Sequence, residues 1–173
     1  MSTAGWLLLG TLALWVAFNW VAPFAVMAQG RRISPGRLPV ELLTNRAARR
    51  VRFYTMPLAG TYGYSIWAPP LNVVVFDEAF FARASTPLLR YVVAHELAHF
   101  TFGHHRKRWL LVVGFLGLTP WAARTFARFE AEADREAERR TGLTRSAFGG
   151  ILHHVVPPQC MTPITAVGSL SGT

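Results

Sequence analysis

The stretch His95-Glu-Leu-Ala-His99 constrains the fold of this chain more than any other, because its two histidines lie four residues apart. Residues at that spacing share one face of an α-helix, so both imidazoles can reach a single ion. Glu96 lies beside them, where a carboxylate can take a proton from a water activated by that ion. The pattern therefore predicts a metal-binding helix packed against another element that carries the missing ligand.

Start and stop signals give this helix its limits. Thr86 is a suitable N-cap, Pro87 a favoured first helical residue and Gly103 a favoured residue just past the end. Residues 87–102 are apolar on nearly all sides, which predicts a helix at the centre of the core.

A helix that ends before Gly103 leaves two further histidines, His104 and His105, outside it. We interpret them as a basic flank. One alternative stays open: the spacing of His105 from His99 matches the third ligand of H-E-x-x-H-x-x-G-x-x-H proteases, although the glycine comes one position late.

A second candidate ligand lies in the acidic stretch RFEAEADREAERR. Thr119 and Pro120 predict the start of a helix that continues to about Arg140. Glu130 and Asp134 are four residues apart and share a face of it, whereas Glu132 points about 200° away. Glu130 can supply a ligand oxygen, and Asp134 can orient a liganding imidazole through its second nitrogen.

Three β-branched and aromatic runs precede the histidine helix. VRFYTM (51–56), TYGYSIW (61–67) and LNVVVF (71–76) are separated by PLAG and APP, which predicts three strands of a small sheet. LNVVVF is apolar at almost every position, as a strand buried on both faces would be. Either LNVVVF or TYGYSIW is a candidate edge strand for aligning a peptide.

The N-terminal 30 residues contain no charged side chain, and residues 5–28 are long enough to cross a bilayer. Seven arginines follow between Arg31 and Arg52, which by the positive-inside rule would lie in the cytoplasm beside anionic headgroups. We therefore predict a single-pass membrane protein with its remaining chain in the cytoplasm. If Glu130 and His95 bind the same ion, residues 109–118 cannot form a second crossing.

Composition supports this division of the chain. A formal charge of +9 and a hydrophobic content of 51% favour a lipid surface as partner, and we expect no nucleic-acid partner. The single cysteine excludes an internal disulfide. The predicted units are a transmembrane anchor (1–30), a basic juxtamembrane linker or helix (31–50), a catalytic domain (51–156) and a disordered tail (157–173).

A histidine motif and an acidic motif together resemble those of the membrane zinc metallopeptidases that include the heat-shock protease HtpX and the CAAX prenyl proteases. The histidine motif is HELAHFTFGHHRK, and the acidic motif that follows it is EAEAD. The resemblance covers about residues 51–140. It implies one Zn²⁺ per chain on His95, His99 and Glu130, with Glu96 as base and Asp134 as an outer partner. The chain departs from that family in two ways: Glu130 follows His99 by only 31 positions, and there is one apolar span.

These observations predict an α+β fold: a small zincin-type metalloprotease domain, with a histidine helix, a glutamate helix and a small sheet, preceded by one transmembrane helix. The predicted activity is zinc-dependent endoproteolysis of protein or peptide substrates by metal-activated water, with Glu96 as general base. A non-catalytic membrane adaptor that keeps the metal site and a DNA-linked protease are the alternatives from other classes. No oxyanion-stabilising side chain can be assigned among His104, His105, His153 and His154.

Overall fold

The computed structural model describes residues 3–44, 48–58, 61–67, 72–113 and 119–155. These residues form an α+β fold with one four-stranded sheet. The helices are α1 (Thr3–Gln29), α2 (Val40–Leu43), α3 (Glu78–Arg83), α4 (Thr86–Thr101), α5 (His104–Val113), α6 (Pro120–Thr141) and α7 (Arg145–Val155). The strands are β1 (Arg31–Arg32), β2 (Val51–Met56), β3 (Gly63–Ile66) and β4 (Asn72–Asp77), and the segments Pro35–Arg37 and Ala48–Arg50 are 3₁₀ turns.

The sheet has the strand order β1-β2-β4-β3. β2 and β4 are parallel, while β1 and β3 pair antiparallel to their neighbours. The three predicted strands are confirmed, and β1 is an additional strand of two residues. β4 is paired on both sides, so its prediction as a candidate edge strand is wrong, and β3 is the edge strand on that side of the sheet.

Both faces of β4 are covered, as its apolar run predicts. Val74 and Phe76 pack into the main core beneath α4, whereas Val73 and Val75 face the opposite side, where they meet Val26 of α1. All four of these β4 side chains are fully buried. The sheet is thus a layer between α4 and the C-terminal end of α1.

Helix α1 coincides with the predicted membrane anchor. In the part of the chain that the structure describes, however, no helix has the combination of length and apolarity that a membrane crossing needs, so the predicted transmembrane span is not supported. The helix ends where it meets β2. A Cβ at Gly30 would lie 2.6 Å from the Val26 carbonyl oxygen and 3.3 Å from that of Thr55, so a glycine is needed for this close approach.

The segment 31–50 is part of the folded core. Its buried side chains Ile33, Leu38 and Leu42 join the same apolar cluster as Phe53 and Leu97. The predicted linker or helix at 31–50 contains β1, α2 and the two 3₁₀ turns, and residues 45–47 lie outside the described part. The tail 157–173, whose disorder was predicted, also lies outside the described residues, as do residues 114–118.

Helices α4 and α6 pack side by side at the centre of the fold. Leu88, Val93 and Leu97 of α4 are fully buried, as predicted for a core helix. Ala133 and Ala137, four residues apart on α6, are also fully buried. Small side chains allow the two helix backbones to approach closely, which sets the distance between the residues that the two helices carry.

The predicted helix limits are largely confirmed. The Thr119 hydroxyl accepts a hydrogen bond from the Ala122 amide at 3.2 Å and caps α6, which ends at Gly142 with a φ of 72°. Ser85 is the N-cap residue of α4, one residue before the predicted Thr86, and its side chain makes no capping hydrogen bond. It ends before Gly103, whose φ of 65° is readily adopted only by glycine.

Candidate metal centre

Three side chains from α4 and α6 bring ligand atoms to one point. His95 Nε2 lies 3.2 Å from His99 Nε2, and Glu130 Oε2 lies 3.4 Å from the first and 3.6 Å from the second. Among the described residues His95, His99 and Glu130 form a group able to hold a metal ion, which we call the ligand group. Of the two candidate third ligands, the group therefore contains Glu130 and not His105.

The dimensions of this group fit a small tetrahedral ion. Zinc bonds to histidine nitrogen and carboxylate oxygen are about 2.0–2.1 Å long, so ligand atoms of a tetrahedral site are about 3.3–3.4 Å apart. The three observed separations, from 3.2 to 3.6 Å, bracket that value. Two imidazoles and one carboxylate are also a donor set that zinc accepts in hydrolases, with the fourth position left for water or substrate.

Asp134 contacts the His95 ring at Nδ1, the nitrogen that is not part of the ligand group. Its Oδ1 lies 3.0 Å from His95 Nδ1 and accepts a hydrogen bond from the Tyr91 hydroxyl at 3.1 Å, while Arg145 pairs with its second oxygen. Burial acts to lower the pKa of His95, but hydrogen bonds to Asp134 and Glu130 outweigh it and raise the pKa to about 10. Asp134 thus contacts the ring nitrogen opposite Nε2, which is the position that its predicted role as an outer partner requires.

The two carboxylate oxygens of Glu130 have different partners. Its Oε2 faces the two histidines, while its Oε1 accepts a hydrogen bond of 2.8 Å from Arg108 of α5. Burial acts to raise the pKa of Glu130, but its hydrogen bonds to His95 and His99, together with Arg108, hold it well below the ordinary value. Glu130 is therefore an ionised carboxylate that presents one oxygen to an ion.

His104 has a place in the site that the sequence prediction missed. Its Nδ1 lies 3.1 Å from His99 Nδ1, and its Nε2 lies 3.0 Å from Glu132 Oε2. The ring is 1% exposed and stacks on Phe129 with a centroid distance of 4.5 Å. The interpretation of His104 as a basic flank is wrong, because the turn at Gly103 folds the chain back and starts α5 against His99.

His105 contacts the sheet instead of the ligand group. Its Nε2 lies 3.0 Å from the hydroxyl oxygen of Ser65 on β3, and its ring centroid is 5.6 Å from that of His99. Burial, followed by the electrostatic effects of His99 and Arg108, lowers the pKa of His105 to about 3. His105 is thus neutral at neutral pH and joins α5 to the edge strand beside the site.

Glu96 is buried, with 7% of its surface exposed, and follows His95 directly on α4. A cleft of about 520 Å³ lies between α1, β3 and α5. Its walls are mainly apolar and aromatic, including Tyr64, Trp67 and Trp109, and His105 and Arg108 also line it. Because Arg108 contacts Glu130, the part of the cleft lined by Arg108 adjoins the ligand group.

The sequence reasoning identified the three residues of the ligand group and missed most of the residues that contact them. Tyr91 lies four residues before His95, a spacing on one helix face that could have identified it. Arg108, Arg145 and the pairing of His104 with Glu132 depend on the packing of α5, α6 and α7, for which no local pattern exists. His153 and His154, the other histidines considered, have side chains outside the described part.

Comparisons with known proteins add no family assignment. The sequence matches no established protein-family profile, and no curated protein is significantly similar to it.

Proposed function

We propose that this protein is a zinc-dependent endopeptidase with a zincin-type active site, similar to the HtpX and CAAX prenyl proteases. The observation that carries the proposal is the position of Glu130 Oε2, which lies within 3.6 Å of the Nε2 atoms of both motif histidines. A charged helix face formed only for solubility would not bring this carboxylate to the two imidazoles, which lie 31 and 35 residues before it.

His95, His99 and Glu130 would hold the ion, and zinc bound there would lower the pKa of a water molecule and polarise the scissile carbonyl. Glu96 takes the proton of the attacking water as general base and returns it to the leaving amine. Its burial excludes competing solvent and strengthens its electrostatic interaction with the reacting atoms. Asp134 and Arg108 keep His95 and Glu130 in place during these steps.

The substrate is an extended peptide that carries a large apolar side chain next to the scissile bond. Among the described strands β3 lies at the edge of the sheet, so a peptide can pair with the backbone of its outer side by strand addition. The apolar cleft is lined by Tyr64 and Ile66 of this strand and by Trp67, which follows it. His105 contacts Ser65 of this strand, so the bound peptide would pass beside the ligand group.

The enzyme acts at the surface of an anionic membrane. Large apolar side chains of α1 are exposed, among them Trp6 at 65%, Val21 at 59% and Phe24 at 53%. Exposed arginines follow α1 at once: Arg31, Arg32, Arg37, Arg49, Arg50 and Arg52. Such a pair of features binds acidic lipid surfaces, and sedimentation with phosphatidylglycerol vesicles but not with phosphatidylcholine vesicles is the expected result.

The variant Glu96→Gln tests the catalytic proposal. The amide keeps the size of the side chain but cannot act as a base, so casein cleavage should fall by about 10²–10⁴-fold while zinc stays bound at one ion per chain. Glu136→Gln is the matched control, because Glu136 lies on α6 and pairs with Arg139 and Arg140 away from the ligand group. Wild-type protein should lose activity in a chelator and regain it with zinc.

Two results would reject the proposal in different ways. Cleavage by Glu96→Gln at the wild-type rate would remove Glu96 from the chemistry. Stoichiometric zinc without cleavage of any unfolded protein would favour the adaptor that keeps a metal site.

A further inference from the structure

The structure assigns a positioning role to Glu132 and His104, which we infer form a hydrogen-bonded chain that fixes the ring orientation and the tautomer of His99. The inference rests on the proposed zinc site and extends it to two residues that are not themselves ligands. The chain runs from Glu132 Oε2 to His104 Nε2 at 3.0 Å, and from His104 Nδ1 to His99 Nδ1 at 3.1 Å.

Counting protons along the chain determines each tautomer. An ionised carboxylate only accepts hydrogen bonds, so His104 Nε2 must carry the proton that lies between it and Glu132. A neutral His104 then has a lone pair on Nδ1, so the proton in the second bond must belong to His99 Nδ1. A His99 ring with its proton on Nδ1 has its lone pair on Nε2, the atom that lies beside His95 and Glu130.

The surroundings of His104 show that it is held in place. Its ring stacks on Phe129 of α6 with an interplanar angle of 13°, and only 1% of the residue is exposed. The positive φ of Gly103 turns the chain so that His104 begins α5 directly over His99. Water therefore cannot replace His104 as the partner of His99 Nδ1 without a rearrangement of the core.

The chain has the same logic as the contact of Asp134 with His95, but with one more link. A ligating histidine commonly donates its second ring N–H to a carboxylate, carbonyl or water, and loss of that partner weakens metal binding by about 10–100-fold. For His95 the carboxylate is direct, whereas for His99 it acts through His104. Each of the three proposed ligands consequently has a hydrogen-bond partner that holds it in place, and for Glu130 this partner is Arg108.

Two substitutions of His104 separate orientation from packing. His104→Phe keeps the ring and its stacking on Phe129 but leaves the His99 Nδ1–H without an acceptor, and we expect the Kd for Zn²⁺ to rise about 10–100-fold. His104→Asn is smaller, but its Oδ1 can take the place of Nδ1 and accept that hydrogen bond. We expect His104→Asn to retain most of the zinc affinity that His104→Phe loses.

Glu132→Ala tests the outer link. The Glu132 side chain is 44% exposed, so water can replace it as the acceptor for His104. We expect a smaller loss than for His104→Phe, about threefold to tenfold in the Kd for Zn²⁺. Glu136→Gln on the same helix is the control and should leave the Kd unchanged.

The second measurement is the tautomer of His99 in zinc-free protein, from long-range ¹H–¹⁵N NMR correlations at pH 7.5. Wild-type His99 should carry its proton on Nδ1, and His104→Phe should lose this preference. A wild-type Nε2–H tautomer would overturn the inference, as would a His104→Phe variant with wild-type zinc affinity and an Nδ1–H tautomer. If His104→Phe does not fold, the wild-type tautomer and the Kd of Glu132→Ala still decide the matter.

Failure of this inference differs from failure of the proposed function. If the wild type cleaves protein but the Kd values for Zn²⁺ of the His104 and Glu132 variants do not follow the expected order, the hydrogen-bonded chain is rejected and the proposed enzyme activity is not. If the tautomer and the Kd values are as expected but no protein is cleaved, the enzyme activity is rejected and the hydrogen-bonded chain is supported.

Discussion

The contact between Asp134 and His95 gives the most quantitative test of the metal centre. Asp134 Oδ1 lies 3.0 Å from His95 Nδ1, and the bond joins a carboxylate to a ring N–H. A hydrogen bond to a charged group contributes about 1.5–3 kcal/mol, and a neutral one about 0.5–1.5 kcal/mol. Asp134→Asn keeps the shape and an acceptor oxygen but removes the charge, so it should cost about 1–2 kcal/mol.

At a pH at which His95 is deprotonated, that free energy corresponds to a Kd for Zn²⁺ about 5–30-fold higher than that of the wild type. The assay is a competition between zinc-stripped protein and a chromophoric chelator, with Glu136→Gln as control and circular dichroism to verify the fold. Asp134 also holds a proton on His95, whose pKa it helps to raise to about 10, and this proton competes with zinc. The loss of affinity should therefore grow as the pH rises from 7 to 9, because the wild type gains more from deprotonation than the variant.

The pH trend separates orientation of His95 from a general structural effect. A variant that was merely less stable would lose affinity by a factor independent of pH. Zinc affinity within twofold of the wild type at every pH would refute the reasoning, since Asp134 would then contribute nothing to the ligand it contacts.

Two further predictions concern stability. When zinc is present at 100 times its Kd, its removal by a chelator should lower the unfolding free energy by about 2.7 kcal/mol. This change corresponds to a Tm lower by about 5–10 °C. The variant His99→Ala should show no such chelator effect. Glu136→Gln should lower the unfolding free energy by about 1 kcal/mol at pH 7, because hydrogen bonds from Arg139 and Arg140 lower the pKa of Glu136 from 4.5 to about 2. Since a lowered pKa stabilises above the unfolded value, the difference in urea denaturation should shrink from pH 4.5 towards pH 2, and a constant difference would contradict the ion pairs.

The parts of the site that could be predicted are those in which sequence spacing sets the geometry. His95 and His99, like Glu130 and Asp134, are four residues apart on one helix, and their relative positions follow from helical periodicity alone. The choice between Glu130 and His105 stayed open because it depends on the distance between α4 and α6. That distance is a property of packing, and the spacing of residues within one helix does not contain it.

The parts that were missed depend on single backbone turns or on pairing across the fold. Gly103 was recognised as a helix stop, but a stop does not give the direction of the next helix, and so His104 was placed outside the site. β1 consists of two exposed arginines whose only strand signal is the neighbour they pair with. The N-terminal apolar run predicted a helix correctly, whereas the membrane crossing inferred from the same run is not supported.

The close approach of α4 and α6 is the condition on which the whole metal centre depends, and Ala133 tests it. Ala133 is fully buried between Glu130 and Asp134 in sequence, on the face of α6 that packs into the fold. Leucine at this position would overpack the interface, at a cost of about 1–3 kcal/mol. The helices must then separate or rotate, and a site that tolerates only about 0.5 Å of displacement would lose zinc affinity by more than about tenfold. Ala131→Leu, on the exposed face of the same helix, should change stability by less than about 0.5 kcal/mol and leave zinc binding intact. If Ala133→Leu bound zinc as tightly as Ala131→Leu, the spacing of the two helices would not be what brings Glu130 to the histidines.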